Sequence, residues 1–474
     1  MTAQPLKASS RLFDNKIDFN YDYKMRRISE LFLLLTLTVL ACGLGGRLQD
    51  APQQSPALTE IVAQEGQEQI SPQPFGETSR EPPSTQPPVD KWSLWANGTQ
   101  LRGANIYQRR VYPELDGEDF LGSDALGPPY TQQDLDRLAE LGANYINISH
   151  PGLFTENPPY TLDGEVQDNL DHLLKMAAQA DLFVVISLRT GPGRSEFSIL
   201  REGAGVWFDP SYINDAVWQE QAAQDGWAAM WRYTAERYRN NPVVVGYDLM
   251  VEPNANEVVL EVWEPEEFYP QQAGKLYDWN LFYPQLVAAV REVDPETPIL
   301  VGALGYSAVR WLPYLVPVDD PHIVYTVHQY APMAYTHQEL PLTLSYPGRF
   351  DVDEDGIVEQ VDRSWLDGSL EVVDEFMADH QAMVAVNEFG AMRWEPGVED
   401  FIMDQAGLFE ARGLNYAIWQ WYPAWEPLAE GDNSFNIRFG PDPEQHFDVE
   451  NALLQIFVQL WGKNNLSPSS FGGR

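Results

Sequence analysis

The sequence predicts an α/β domain built as a (β/α)8 barrel, and three observations predict it. Eight short apolar runs recur between residues 101 and 420, helical patterns fill most of the gaps between them, and two of the runs end in a glutamate. Strands alternating with helices imply a parallel sheet, and eight of them close into a barrel whose strand tips converge on one face. A carboxylate at the tip of a buried strand is costly to desolvate, so it survives there mainly where chemistry needs it.

The elements follow in order. Arg26 and Arg27 precede an apolar run over residues 31–41, which has the length of a signal-peptide core and is too short to span a bilayer. The run ends in Val39-Leu40-Ala41-Cys42, which resembles a bacterial lipobox, so residues 1–42 read as an N-terminal extension and lipoprotein-type signal with Cys42 as the acylated residue. Ordinary secretion is the alternative. Residues 43–90, rich in Gln, Pro, Ser and Glu, read as a disordered tether. The folded domain is expected over residues 91–466, with 467–474 as a flexible tail.

Within that domain the strand-like runs are 101–105, 144–149, 182–187, 243–249, 298–302, 323–327, 383–387 and 416–420. Helical patterns cover 131–141, 167–180, 215–238, 279–293, 398–412 and 449–461. A chain of 474 residues could hold about three domains at ~150 residues each, but one barrel takes ~250 residues and more with insertions. An open doubly wound sheet is the competing topology. It would want a glycine-rich phosphate loop after an early strand, and none follows.

Composition narrows the partners. The formal net charge of −40 repels nucleic acid and anionic membrane surfaces, whereas a neutral sugar is indifferent to it. Membrane association is expected only through the N-terminal lipid anchor. Cys42 is the only cysteine, which excludes an intrachain disulfide and a cysteine-based metal site.

The chemistry-bearing residues lie at the strand ends. Glu252 closes the run VVVGYDLMVEP and Glu388 sits in MVAVNEFG; glycoside hydrolysis uses such a pair of carboxyl groups. These motifs resemble the fourth and seventh strands of the glycoside hydrolase family 5 cellulases and their clan of (β/α)8 relatives. The resemblance implies that Glu252 is the acid/base and Glu388 the nucleophile of a retaining β-glycosidase acting on oligo- or polysaccharide, without a cofactor. His328 and Tyr330, in VYTVHQYAP, match the family's His-x-Tyr, where the tyrosine contacts the nucleophile and the histidine sits near the acid/base. Trp419 matches the aromatic after the eighth strand that forms a sugar platform, and flat rings suit the apolar C–H faces of sugars. Trp207, Trp263, Trp394 and Trp425 are further candidates for subsites.

Three positions depart from the family pattern. Val251 stands where an Asn usually binds the sugar 2-hydroxyl, Asn147 where the second strand usually carries an Arg, and Arg189 where the third usually ends in His. Asn147 and Arg189 are expected to face substrate, and Arg189 to supply the positive charge that keeps Glu388 ionised. The departures leave two further readings open: a catalytically weak barrel that binds polysaccharide at the cell surface, and a clan relative of β-galactosidase or β-mannosidase type.

A separate signal is DVDEDGIVEQVD. Asp351, Asp353 and Asp355 at alternate positions, Gly356 at the sixth, Glu359 at the ninth and Asp362 at the twelfth follow a calcium-loop spacing. A structural Ca2+ or an acidic solvated loop would both account for it.

Overall fold

The computed structural model describes residues 90–471 apart from 118, 339, 354 and 432. The lipobox with Cys42, and the tether up to residue 89, lie outside the described residues. Eight parallel strands close a barrel: β1 (Arg102–Tyr107), β2 (Tyr145–Pro151), β3 (Phe183–Thr190), β4 (Val244–Asp248), β5 (Ile299–Gly302), β6 (Ile323–Gln329), β7 (Met383–Phe389) and β8 (Asn415–Ile418). Each pairs with the next in sequence, and β8 returns to β1. All eight expected strands are present, and closure excludes the open sheet.

Strands covered on both faces read as nearly continuous apolar runs, and every residue of β2 and β3 is buried. Helices α1 (Gln132–Glu140), α2 (Gly164–Gln179), α3 (Gln221–Tyr238) and α4 (Trp279–Arg291) follow the first four strands. Between β5 and β6 the chain makes only a 3-10 segment, Val309–Tyr314, interrupted by Pro313. Helix α5 (Glu371–His380) follows β6; its short amphipathic stretch lies behind the long acidic insertion and is absent from the helical patterns read from sequence. Helices α6 (Val398–Ala411) and α7 (Ala452–Trp461) complete the ring.

The two ends of the barrel differ. At the N-terminal end a plug of Leu94, Trp95, Leu101, Tyr145, Phe183, Val245 and Leu300 fills the interior, and Trp95 donates its indole N–H to the Val245 carbonyl at 3.0 Å. Residues 467–471 are not a free tail. Pro468–Phe471 forms a helical turn, Ser469 N–H donates to Asp181 Oδ1 at 2.8 Å, and the Phe471 ring stands edge-on to Phe183 at 5.7 Å. An exposed Phe183 edge at the barrel floor gains cover that way.

Toward the C-terminal end the interior turns polar. Asn105 and Asn147 are register partners on β1 and β2, and Ser187 and Asp248 on β3 and β4. Strand β7 carries a bulge after Val386 against both neighbours. The Asn387 carbonyl turns inward there and accepts the side-chain amides of Asn105 and Asn147, both at 2.9 Å. A bulge re-aims the side chain beside it, which here is Glu388. No helix among the described residues is long and apolar enough to cross a membrane.

Candidate active site

Glu252 leaves the end of β4 in the left-handed region, with φ 52°, an uncommon conformation for a residue with a side chain. Its carboxylate points into the mouth, 18% exposed, and Oε1 lies 3.0 Å from Nδ1 of His328 on β6. The same nitrogen is 3.4 Å from Glu388 Oε2, and the Tyr330 hydroxyl donates to that oxygen at 3.1 Å. Ligand-type atoms of Glu252, His328 and Glu388 all fall within 4.8 Å of one another. Residues 76 positions apart thus meet across the mouth.

Two buried carboxylates this close cannot both ionise cheaply, so the pair titrates as a unit. Burial pushes Glu388 up to about 7, and charge on Glu252 adds to the rise. Burial also opposes ionisation of Glu252, but the His328 hydrogen bond and the charges of His328, Arg189 and Arg194 outweigh it and hold Glu252 below its usual value. Burial alone would depress His328; the facing Glu388 and Glu252 overcome that and raise it to about 9. Near neutral pH the centre therefore holds an imidazolium and a partly protonated carboxyl pair, with the proton favoured on Glu388.

The other residues expected at the site are distributed unevenly. Trp419 is half-buried at the end of β8, its ring 5.9 Å from Tyr107, and the Arg189 guanidinium lies 5.0 Å from the Tyr107 ring centre and 6.0 Å from that of Trp419. Arg189 makes its ion pair with Glu196 at 3.1 Å rather than with Glu388, although its charge still favours ionisation of both Glu252 and Glu388. Tyr107 donates to the same Glu196 oxygen at 2.7 Å. Asn147 is displaced from its expected role: it is 1% exposed, lies below the mouth and clamps the Asn387 carbonyl instead of facing a ligand.

Among the tryptophans expected at subsites, Trp263 stacks on Tyr306 at 6.5 Å and 13° above the β5 end, while Trp425 is tied by its indole N–H to the carbonyls of Asp119 and Phe120. Trp394 lies against the Arg393 guanidinium, and Trp207 packs on Phe208.

Several site residues escaped the sequence reading. Tyr107 and Glu196 frame Arg189, Asp248 faces His328 from below, and Asn387 carries the bulge. The stretch LRTGPGRSEF offered a signal, because two arginines and a glutamate sit close to a glycine-proline turn.

The acidic insertion between β6 and β7 lies apart from the mouth. Asp351, Asp353 and Asp355 bring carboxylate oxygens within 4.8 Å of one another. Glu359 and Asp362 do not join them. Glu359 lies in the strand Glu359–Val361 paired with Gly348–Phe350 and accepts the Trp365 indole N–H at 3.3 Å, and Asp362 caps the helix Arg363–Ser369. Both carboxylates are drawn away by local donors.

Comparison with known proteins bears on the fold and the family. The model for cellulase, glycosyl hydrolase family 5, matches residues 107–424. Endoglucanase C of Acetivibrio thermocellus is 22% identical over 326 residues, covering 61% of this chain and 83% of the relative. A probable glucan 1,3-beta-glucosidase A of Aspergillus fumigatus is 28% identical over 206 residues, 42% of each chain. The solved hyperthermophilic Thermotoga maritima endoglucanase superimposes with a TM-score of 0.54 at 18% identity, covering 78% of this chain and 100% of that one. Structures of that enzyme hold cellobiose and mannotriose.

Proposed function

From the premise that the chain belongs to glycosyl hydrolase family 5 and is a β-glycosidase acting on O-glycosyl bonds, we propose that it cleaves β-glucans with Glu388 as nucleophile and Glu252 as acid/base. The closeness of the carboxyl groups supports a retaining reaction, and the division of roles between them follows the motif resemblance and the Tyr330 hydrogen bond to Glu388. One oxygen of each carboxylate lies within 4.8 Å of the other, which is in keeping with the short spacing of about 5–5.5 Å that retaining enzymes use rather than the about 6.5–9.5 Å of inverting ones.

In the first step a Glu388 oxygen forms a bond to the anomeric carbon as the glycosidic C–O bond breaks. In the free protein the proton held by the pair sits on Glu388, which is held up while Glu252 is held down, the reverse of what the reaction needs. It has to pass to Glu252, with His328 between the two carboxyls, before Glu388 attacks and Glu252 gives it to the departing oxygen. Glu252, now a carboxylate, takes a proton from water, whose oxygen bonds to the anomeric carbon and releases Glu388. Two inversions give net retention, and only carboxyl groups and water take part. Tyr330 supports the charged nucleophile by its hydrogen bond. His328, cationic and within reach of both carboxyls, lowers the cost of moving the proton between them. Trp419 and Tyr107 offer flat faces for the sugar, and Arg189 the polar donor beside them.

The relatives named as endoglucanases favour β-1,4-glucan, and β-mannan is the second substrate to try. Hydrolysis of barley β-glucan, carboxymethylcellulose, glucomannan and laminarin, with Glu388→Gln as blank, tests the reading. Turnover of the first two is expected. Binding to these glycans with no turnover on any of them would overturn it in favour of a polysaccharide-binding barrel, the reading that Val251 favours, since its side chain is apolar and 2% exposed.

Two further assignments rest on sequence. Cys42 would carry the lipid that anchors the enzyme outside the cytoplasm, with residues 43–90 as spacer. Detergent-phase partitioning of the native protein, lost in Cys42→Ala, is the expected result. Ca2+ would sit among Asp351, Asp353 and Asp355 as a structural ion remote from the proton chemistry.

A further inference from the structure

Arg194 lies in the loop after β3 and is 0% exposed, yet its partners are neutral oxygens rather than a carboxylate. Its Nη1 donates to the carbonyls of Arg189 at 2.8 Å and Val251 at 2.7 Å. Its Nη2 donates to the carbonyl of Glu252 at 2.7 Å and to Asn254 Oδ1 at 3.3 Å. Glu252, Glu196 and Asp215 favour its charge from a distance, but burying a guanidinium with no carboxylate in contact is still expensive, so such a group is retained where its fixed fork of donors has a task.

The task is visible in the backbone it holds. Glu252 has φ 52°, a conformation that costs of order 1–3 kcal/mol for a residue with a side chain and persists only where the surroundings over-determine it. The three residues bound by Arg194 on the β4 side, Val251, Glu252 and Asn254, bracket that conformation. The anchor itself is rigid. Gly193, at φ 70°, donates its N–H to the Glu156 carbonyl at 2.9 Å, and its own carbonyl accepts from Val217 N–H at 2.8 Å. A Cβ at Gly193 would meet Ala223 of α3 and the Val217 backbone at 2.7 Å each, so the loop sits directly on the helix layer. Asn254 is in turn fixed to the Ser198 carbonyl at 3.2 Å.

We propose that Arg194 is a positioning residue for proton transfer: it holds the Glu252 backbone in the left-handed conformation that aims the carboxyl at the leaving-group oxygen. The assignment rests on Glu252 being the acid/base. Removing Arg194 leaves the nucleophile Glu388 and its partners His328 and Tyr330 in place, so the loss falls on steps that need a proton.

Leaving-group dependence reads this directly. Expulsion of 2,4-dinitrophenolate needs no protonation, whereas phenolate does. For Arg194→Met and Arg194→Lys, kcat/KM on aryl β-cellobiosides is measured per active site, with sites counted by trapping the glycosyl-enzyme from a 2,4-dinitrophenyl 2-fluoroglycoside. The expected result is a fall of about 10²-fold on the phenyl substrate, the scale of general acid catalysis, and of no more than a few-fold on the dinitrophenyl one, with the Lys variant intermediate. Azide, which attacks the intermediate without base assistance, should speed turnover of the Met variant. Equal losses on both substrates, no loss on either, or failure of both variants to be trapped would each overturn the proposal and leave Arg194 a purely structural residue. Glu252→Gln, run alongside, separates the two failures. If that variant lacks leaving-group dependence, the assignment of Glu252 falls; if it shows the dependence and Arg194→Met does not, only Arg194 falls.

Discussion

The barrel mouth and the acidic insertion each gather three ligand-type side chains within 4.8 Å, and they solve the resulting repulsion in opposite ways. At the mouth the middle member is His328, which the two glutamates raise to about 9 against its burial, so the chain supplies its own cation. In the insertion all three members are aspartates. Burial and the neighbouring charges of Asp355 and Asp351 raise Asp353, and backbone N–H groups point at all three: Asp353 N–H and Gly356 N–H to Asp351, Asp355 N–H to Asp353, Ile357 N–H to Asp355. Proximity of carboxylates alone therefore does not define a catalytic centre. A proton-sharing centre needs burial and an internal charge, and the insertion has little of the first, two of its aspartates being half-buried and the third exposed.

Perturbing the mouth should break that contrast most severely. Glu388→Gln is expected to abolish turnover, which steady-state assays on glucan check, while stabilising the fold at alkaline pH. A carboxyl raised from 4.5 to about 7 gives its full stability below the lower value and loses it as pH rises through the higher one. The amide carries no such loss, so thermal unfolding should show a higher Tm for the variant at pH 8 and no advantage near pH 4. An equal Tm at both values would contradict the raised pKa. His328→Gln removes the internal cation and makes the mouth resemble the insertion. Turnover should fall by at least about tenfold, and both limbs of the pH–rate profile should move up by about one unit or more, because a contact charge of opposite sign lowers a carboxyl by about 1–3 units. Limbs that stay in place would show that His328 acts sterically.

Asn147→Ala tests the support beneath the mouth. The Asn387 carbonyl keeps Asn105 but loses one of its two clamps, at a cost of about 1–2 kcal/mol for a buried hydrogen bond. A drop in Tm of about 1–3 °C with less than tenfold loss of kcat is expected, and a change in KM alone would instead return Asn147 to the substrate surface.

How much of this was legible in the sequence follows from what each feature depends on. The eight strands and the ring of helices come from local periodicity, and the strand-tip glutamates from an apolar run that ends in a charge, so both could be read directly. The partnership of His328 and Tyr330 with that pair was legible through motif resemblance, and the barrel brings them to the expected neighbours. What could not be read depends on direction rather than position. Asn147 alternates on a strand whose residues are buried on both faces, and only the bulge at Asn387 decides that its amide serves a carbonyl. Arg189 reaches the mouth as expected, but its ion pair was set by Glu196, seven residues on in a loop whose path has no periodic signal. Arg194 was invisible for the same reason, since its acceptors are backbone carbonyls and carbonyls have no sequence identity.

The smallest effect on turnover is expected at the insertion. If a cation from solution joins the three aspartates, millimolar Ca2+ should raise Tm relative to EDTA, because a ligand at 100 times its Kd stabilises by about 2.7 kcal/mol. That corresponds to a shift of about 3–4 °C in a domain of this size. Asp351→Ala removes the residue that gathers two backbone N–H groups and faces both other aspartates, so it should erase the calcium dependence while leaving kcat on glucan unchanged. Magnesium, smaller and demanding octahedral geometry, should substitute poorly. Tm values that coincide in Ca2+ and EDTA would make the insertion a solvated acidic loop, and the contrast would then lie between a centre that makes its own cation and a surface that needs none. Loss of kcat in Asp351→Ala with the calcium response intact would instead tie the insertion to the mouth through β6, which precedes it, and β7, which follows it.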